Sequence, residues 1–353
     1  MLDFIVEKQN SWDYLKTCNL PVFIYGMGDG ALKIMSVMEK YKIPVSGFFA
    51  SDEFVRGHYF EEHKVHSLTE IEAILDDFVI VLAFAAGYPS LYQKINEISK
   101  KHILIAPDVP VSGDGLFTYE YCLEHEKEIS EVYSLLEDGI SKKTFSDIIN
   151  FKISGKISYL NSCTTPKSEV FENIISLSAI ENYVDLGAYN GDTILEFIEL
   201  TGGKYQKITA LEPDKKNFRK LLKAAEGYNN IEAFNAAAWD SDTVIAFSSK
   251  AGRQSAVSEK GTEIPARSVD SILGGKSCTI IKMDVEGAEK QAIIGAKETI
   301  SKYSPRLMIS LYHRNEDIFE LPLLIKKINP KYKLYLRHQL YIPAWETNLY
   351  CTL

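Results

Sequence analysis

The sequence predicts an α/β protein made of two doubly wound parallel sheets joined by a helical linker. Three observations carry that expectation. Short apolar runs alternate with helical stretches twice along the chain, the pattern of parallel strands connected by crossover helices. Each series opens with a strand that ends in a glycine turn, Val22–Tyr25 before Gly26 and Tyr183–Leu186 before Gly187. Between the series lies a charge-rich helical stretch, set off by a break at Pro110, Gly113 and Gly115. The chain has 353 residues, more than one core usually organises. We divide it into residues 1–115, a linker over 116–164, and residues 165–353.

Composition narrows the partners. Hydrophobic residues make up 46% and charged residues 25%, ordinary globular values. The net charge of -9 is spread along the chain, which argues against a nucleic-acid or anionic-membrane partner. Cys18, Cys122, Cys163, Cys278 and Cys351 form no Cys-x-x-Cys motif, so reduced, buried thiols are expected. The N-terminus lacks the basic start and apolar core of a secretory signal. No run reaches the roughly 18 apolar residues of a membrane span. These features predict a cytoplasmic protein acting on a small molecule, with homo-oligomerisation left open.

In the first series, strands are expected at 22–25, 45–49, 78–83 and 103–106, with helices at 31–41, 68–75 and 90–100. Gly26-x-Gly28-x-x-Ala31 fits a dinucleotide fingerprint loosely, and Asp52 is placed to meet a ribose. Asp29, inside the same loop, would repel a diphosphate. A nucleotide or nucleotide-sugar site and a scaffold without ligand both remain open here. In the linker, Ile129, Val132, Leu135 and Leu136 recur at helical spacing and are expected to pack between the two sheets.

The second series carries the chemistry. Its first strand runs into Gly187-Ala188-Tyr189-Asn190-Gly191-Asp192-Thr193, making a crevice at the carboxyl edge of a sheet. Gly187 and Gly191 would let a ligand approach the backbone. Asp185 would reach the ligand or orient the loop, and Asp192 or Thr193 would cap the next helix. The following strand, Lys207–Leu211, delivers Glu212 about 20 residues after the loop, where an acid accepts hydrogen bonds from ribose hydroxyls. An acid before the glycines suits an ammonium group and repels a diphosphate, so the loop favours S-adenosyl-L-methionine over NAD. A third strand is expected over Ile231–Ala238, its small end leaving room for an adenine edge beside Asn235. The fourth, Thr279–Met283, delivers Asp284, Glu286 and Glu289 to the same edge. Glu286 and Glu289 are also explained by the helix that follows, whose N-terminus favours acids.

With DLGAYNGDT, LEP, IKMDVEGAE and the later Tyr312-His313 in order, the stretch from about Tyr183 to Leu353 resembles the FkbM family of S-adenosylmethionine-dependent methyltransferases. The resemblance implies a seven-stranded, Rossmann-like sheet whose last strand, near Thr347–Cys351, is antiparallel. It implies O-methylation of a sugar, nucleotide-sugar or natural-product hydroxyl. It assigns Asp185, Gly187, Asn190, Gly191, Asp192 and Glu212 to the cofactor and places the DVEGAE segment at the reaction pocket. The first half resembles small Rossmann-like domains that accompany sugar-modifying enzymes. One departure is Ser310, where many members of the family carry an acid.

Methyl transfer to a hydroxyl needs in-line positioning and a proton acceptor. Asp284 and His313 are the candidates, with Glu286 beside them, and an ordinary imidazole pKa favours His313 as base. A divalent metal held by Asp284 with Glu286 or His313 is chemically allowed but not expected. The alternative in another class is a non-catalytic, adenosine-ligand-binding or regulatory protein.

Overall fold

The computed structural model describes residues 2–51, 55, 57, 59–248, 256–257 and 261–353. Asp52 lies outside them. The N-terminal sheet contains β1 (Val22–Tyr25), β2 (Gly47–Ala50), β3 (Tyr59–Phe60), β4 (His63–Ser67), β5 (Val79–Leu82) and β6 (Ile103–Ile105), in the order β3-β4-β2-β1-β5-β6. All neighbours are parallel except β3 and β4. β1, β2 and β5 are buried along their whole length, which is why each reads as an unbroken apolar run. The pair β3–β4 escapes a reading by pattern, because Val65 is the one buried residue of β4. The crossover helix Asp29–Tyr41 buries Ala31, Ile34 and Met38, spaced by three and four residues as one helix face requires.

The linker folds as helices Tyr119–Glu124, Glu126–Leu135, Gly139–Ser154 and Ile157–Cys163. Their apolar faces join both sheets into one core, which runs from Phe23, Ile80 and Leu82 through Ile129, Phe145 and Ile149 to Ile281, Leu307 and Leu334. Burying each such side chain contributes about 1.5–3 kcal/mol. The helix Gly139–Ser154 starts at Asp138, whose carboxylate accepts from Ser141 N–H at 2.6 Å. The same carboxylate accepts from the guanidinium of Arg337 at 2.7 Å, and Glu169 holds the other side of that group at 2.8 Å. Arg337 is 1% exposed, so this buried cation, paired with two partly exposed carboxylates, fixes the linker on the C-terminal sheet.

That sheet comprises β7 (Asn182–Leu186), β8 (Lys207–Leu211), β9 (Ile231–Phe234), β14 (Ile280–Met283), β15 (Arg306–Ser310), β16 (Lys333–His338) and β17 (Thr347–Thr352). Its order is β16-β17-β15-β14-β7-β8-β9, with β17 antiparallel to both neighbours. The topology is the seven-stranded α/β sheet that the motifs imply. A smaller sheet intervenes in sequence: β10 (Ala237–Ala238), β11 (Thr243–Ser248), β12 (Ala256–Val257) and β13 (Thr262–Arg267). The expected single strand over Ile231–Ala238 is therefore two. Ile231–Phe234 pairs with β8, whereas Ala237–Ala238 turns away to pair with β13.

Candidate active site

Three neighbouring strand ends build the site. β7 runs into the glycine loop, β8 ends at Glu212, and β14 ends at Asp284. They meet because β14, β7 and β8 are adjacent and parallel. Gly187, Asp192, Thr193, Glu212, Asp284 and Glu286 line one cavity, together with Ala237 and Ala238. The remaining expected residues stand behind that wall. Asp185 is fully buried and accepts from the hydroxyl of Thr193. Asn190 accepts from Asp192 N–H at 3.2 Å and so holds the turn. Asn235 donates to the carbonyls of Glu212 and Pro213 at 2.9 and 3.0 Å. It fixes the strand end rather than facing the cavity.

The glycines serve the protein before any ligand. Gly187 has φ +80°, and a Cβ there would lie 1.9 Å from the carbonyl oxygen of Asp284. Gly191 has φ +90°, and its Cβ would press on Ala224 at 3.0 Å. Close approach of β7 to the β14 loop, and of the turn to the helix Lys215–Ala224, is thus what excludes other residues.

Glu212 is 6% exposed and accepts from Tyr189 N–H at 2.9 Å and Asp214 N–H at 2.8 Å. Burial raises its pKa to about 7, although both amides pull it back. Asp284 is lowered instead. Burial opposes its charge, but Lys282, His313 and the hydroxyls of Tyr312 and Ser310 together outweigh it. Tyr312 donates to Asp284 Oδ1 at 3.1 Å.

His313 departs from the expected role of free base. It is 1% exposed, and its ring stands 2.9 Å from Glu289, 3.4 Å from Glu286 and 3.5 Å from Asp284. Burial disfavours the charged ring, yet the three carboxylates prevail and raise its pKa to about 10. A ring so biased toward its protonated form is a poor proton acceptor. Donor atoms of Asp284, Glu289 and His313 lie within 4.8 Å of one another, close enough to hold a cation.

Two contributors were not singled out from the sequence. Lys282, in the middle of an apolar strand, is one. Its Nζ lies 3.2 Å from Asp185 Oδ1 and donates to Gly187 O at 3.1 Å. The signal was available, since a lysine among Thr279-Ile280-Ile281 and Met283 needs a buried partner. The other is Ser112, from the Pro110–Gly115 break. Its N–H donates to His313 O at 2.8 Å and its hydroxyl to Glu286 O at 3.1 Å. No local pattern marks such a long-range contact.

Residues 185–341 match the model of the Methyltransferase FkbM domain. That stretch of the chain is similar to the FkbM methyltransferase domain. The chain is similar throughout to the crystal structure of Methyltransferase FkbM from Methylobacillus flagellatus KT. That likeness has 21% identity and a TM-score of 0.74, and it covers 99% of this chain and 92% of that one. It shows that the fold is shared, N-terminal sheet included. Two weaker likenesses stop near half of the chain. Fibrillarin from Aeropyrum pernix, solved with S-adenosyl-L-methionine, is 11% identical over 52% of this chain and 73% of its own, with a TM-score of 0.35. An rRNA methylase from Streptococcus thermophilus is 14% identical over 52% and 92%, with a TM-score of 0.34. No curated protein matches the chain. Among the described residues, no helix is long and apolar enough to cross a membrane.

Proposed function

We propose that this FkbM-like domain binds S-adenosyl-L-methionine and methylates a hydroxyl oxygen of a sugar, nucleotide-sugar or natural product. The observation that carries the reading is the meeting of Glu212 and Asp284 in one cavity beside the glycine loop. The residues suit this donor. Glu212 is a buried carboxylate at a strand end and would accept from the ribose hydroxyls. Ala237 and Ala238, small apolar residues in the cavity wall, would lie against the adenine. Asp192 and Thr193, opening the helix Asp192–Leu200, would face the amino-acid end. When bound, the donor supplies a methyl group on a cationic sulfur.

The chain's own residues then position and deprotonate. Asp284, with its side chain 32% exposed, presents a carboxylate to the cavity, and Tyr312 and His313 fix its orientation. The acceptor hydroxyl places its proton on Asp284 as its oxygen takes the methyl. An alkylated hydroxyl is far more acidic than a carboxylic acid, so a carboxylate with a lowered pKa still suffices as acceptor. Glu286 stands across the His313 ring and adds negative charge near the sulfonium. In this reading residues 1–115 and the linker 116–164 shape the acceptor's approach and supply no reacting group.

Calorimetric titration with S-adenosylhomocysteine tests the donor site, with Glu212→Ala as control. Micromolar binding that the substitution weakens supports the reading. An absence of binding up to millimolar ligand rejects it. Donor binding without methylation of any hydroxyl would favour the non-catalytic alternative.

A further inference from the structure

A second cavity, of about 390 Å³, opens beside the donor site and shares Asp192, Thr193, Lys282, Asp284 and Glu346 with it. One wall is a row of neutral hydrogen-bonding side chains on the antiparallel edge of the sheet. Ser310, whose hydroxyl interacts with Asp284, donates to Asn348 Oδ1 at 3.1 Å. Asn348 donates to Gln339 Oε1 at 3.1 Å, and Gln339 donates to the hydroxyl of Tyr350 at 3.3 Å. Tyr183 and Met308, on the same face of the sheet, and Phe197, from the helix Asp192–Leu200, add apolar and aromatic surface. Strand register sets the floor, because Lys282 pairs with Met308 and Met308 with Tyr350.

This lining has a definite preference. Amides and hydroxyls set among apolar and aromatic surface match a saturated ring that carries several hydroxyls and shows apolar C–H faces. Charge settles what else the ring bears. The cavity is lined by the carboxylates of Asp192, Glu196, Asp284 and Glu346 against two lysines. Both lysines are engaged, Lys167 with Glu196 at 2.6 Å and Lys282 with Asp185 at 3.2 Å. An anionic group entering here would lose hydration and meet like charge. Ser310, the neutral residue where an acid was expected, belongs to the same uncharged row.

The cavity also has an exit. A groove of about 600 Å³ shares Lys167, Gln339 and Glu346 with it and runs past Gly87 of the N-terminal sheet. That sheet is held there by mutual hydrogen bonds between Ala86 and Ile342, at 2.7 and 3.1 Å. Residues before position 115 thereby wall the way in.

Resting on the methyltransferase reading, we propose that the inner cavity is the acceptor site and takes a polyhydroxylated ring without anionic groups. The remainder of the acceptor lies in the outer groove under Gly87. Among the three acceptor classes above, a nucleoside-diphosphate sugar is thereby excluded.

Saturation-transfer NMR on the full chain tests this, with and without S-adenosylhomocysteine, using methyl β-glucopyranoside and UDP-glucose at millimolar concentration. The expected result is transfer to the neutral glycoside and none to UDP-glucose. Asn348→Ala should weaken the glycoside about fivefold, the worth of one hydrogen bond. Should Asn348→Ala not fold, Glu346→Lys, at the half-exposed mouth, serves instead and is expected to let UDP-glucose in. Stronger transfer to UDP-glucose in the unmodified protein would overturn the proposal. So would no transfer to the glycoside, or transfer indifferent to both substitutions. Glycoside binding in a protein that ignores S-adenosylhomocysteine would reject the methyltransferase reading and leave the cavity's preference standing.

Discussion

The ammonium of Lys282 stands 3.2 Å from Asp185 Oδ1 and 3.9 Å from Asp284 Oδ2. One largely enclosed cation therefore ties the acid beneath the glycine loop to an acid that lines the cavity. Both strand ends depend on it for their charge balance. Removing the cation is expected to harm the fold before it harms the chemistry.

Lys282→Met should destabilise the protein by about 3–5 kcal/mol, because it leaves the fully buried Asp185 charged and unpaired. Pairing it with Asp185→Asn should restore most of the loss. Urea unfolding of the single and double variants checks this. Equal stability of the Lys282→Met variant and the unmodified protein would show that the pair contributes nothing.

Donor binding should depend on pH through Glu212. With its pKa raised to about 7, the free protein protonates this carboxyl as pH falls through that value. Affinity for S-adenosylhomocysteine, which needs the carboxylate, should drop about tenfold per pH unit below it. The stability effect has the opposite slope. Between an unfolded value of about 4.3 and about 7, the folded state holds more protons, so this group makes stability fall as pH rises. Calorimetry from pH 5 to pH 8 (roughly the span either side of that pKa) reads the affinity. A Glu212→Gln variant should lose the dependence.

Asp284→Asn should lower turnover at least about tenfold while leaving S-adenosylhomocysteine affinity within about twofold. The asparagine keeps the shape and the contact with Tyr312 but cannot take a proton. Methyl transfer followed with radiolabelled donor is the measurement, and near-normal turnover would remove Asp284 from the mechanism.

His313 makes a stability prediction. Its folded pKa of about 10 lies above the unfolded value of about 6.5. Its contribution is therefore complete below about 6.5 and is lost as pH rises through about 10. Thermal unfolding should show a midpoint that declines across that window. The His313→Gln variant should be less stable at neutral pH by about 3 kcal/mol, since Glu289 and its neighbours lose their cation. A midpoint independent of pH in the unmodified protein would mean that the ring is neutral.

Much of this was legible from residues alone. β1 and β5 read directly as strands because strands buried on both faces are unbroken apolar runs, and β7 and β8 because their largely apolar runs end at Gly187 and Glu212. The cavity residues Gly187, Asp192, Thr193 and Glu212 lie within one strand–loop–helix–strand unit, so local pattern already brings them to one sheet edge. Where side chains alternate weakly, as in β4, or where a strand is shared between two sheets, as at Phe234–Ala237, the pattern gave no register. Asn235 illustrates the result: it is near the site in sequence, yet its amide is turned to the backbone of Glu212.

The sequence by itself determined the fold class, the order of the strand ends and the identity of the acids they carry, because each rests on contacts between residues close in the chain. Tertiary structure alone decided their protonation and their roles. Glu289, Asp284 and Glu286 bias His313 toward its cation, and Lys282, His313 and Tyr312 bias Asp284 toward its carboxylate, because the fold gathers them. Electrostatic free energy depends on distance and burial in three dimensions. Neither is encoded in the spacing of residues along a chain.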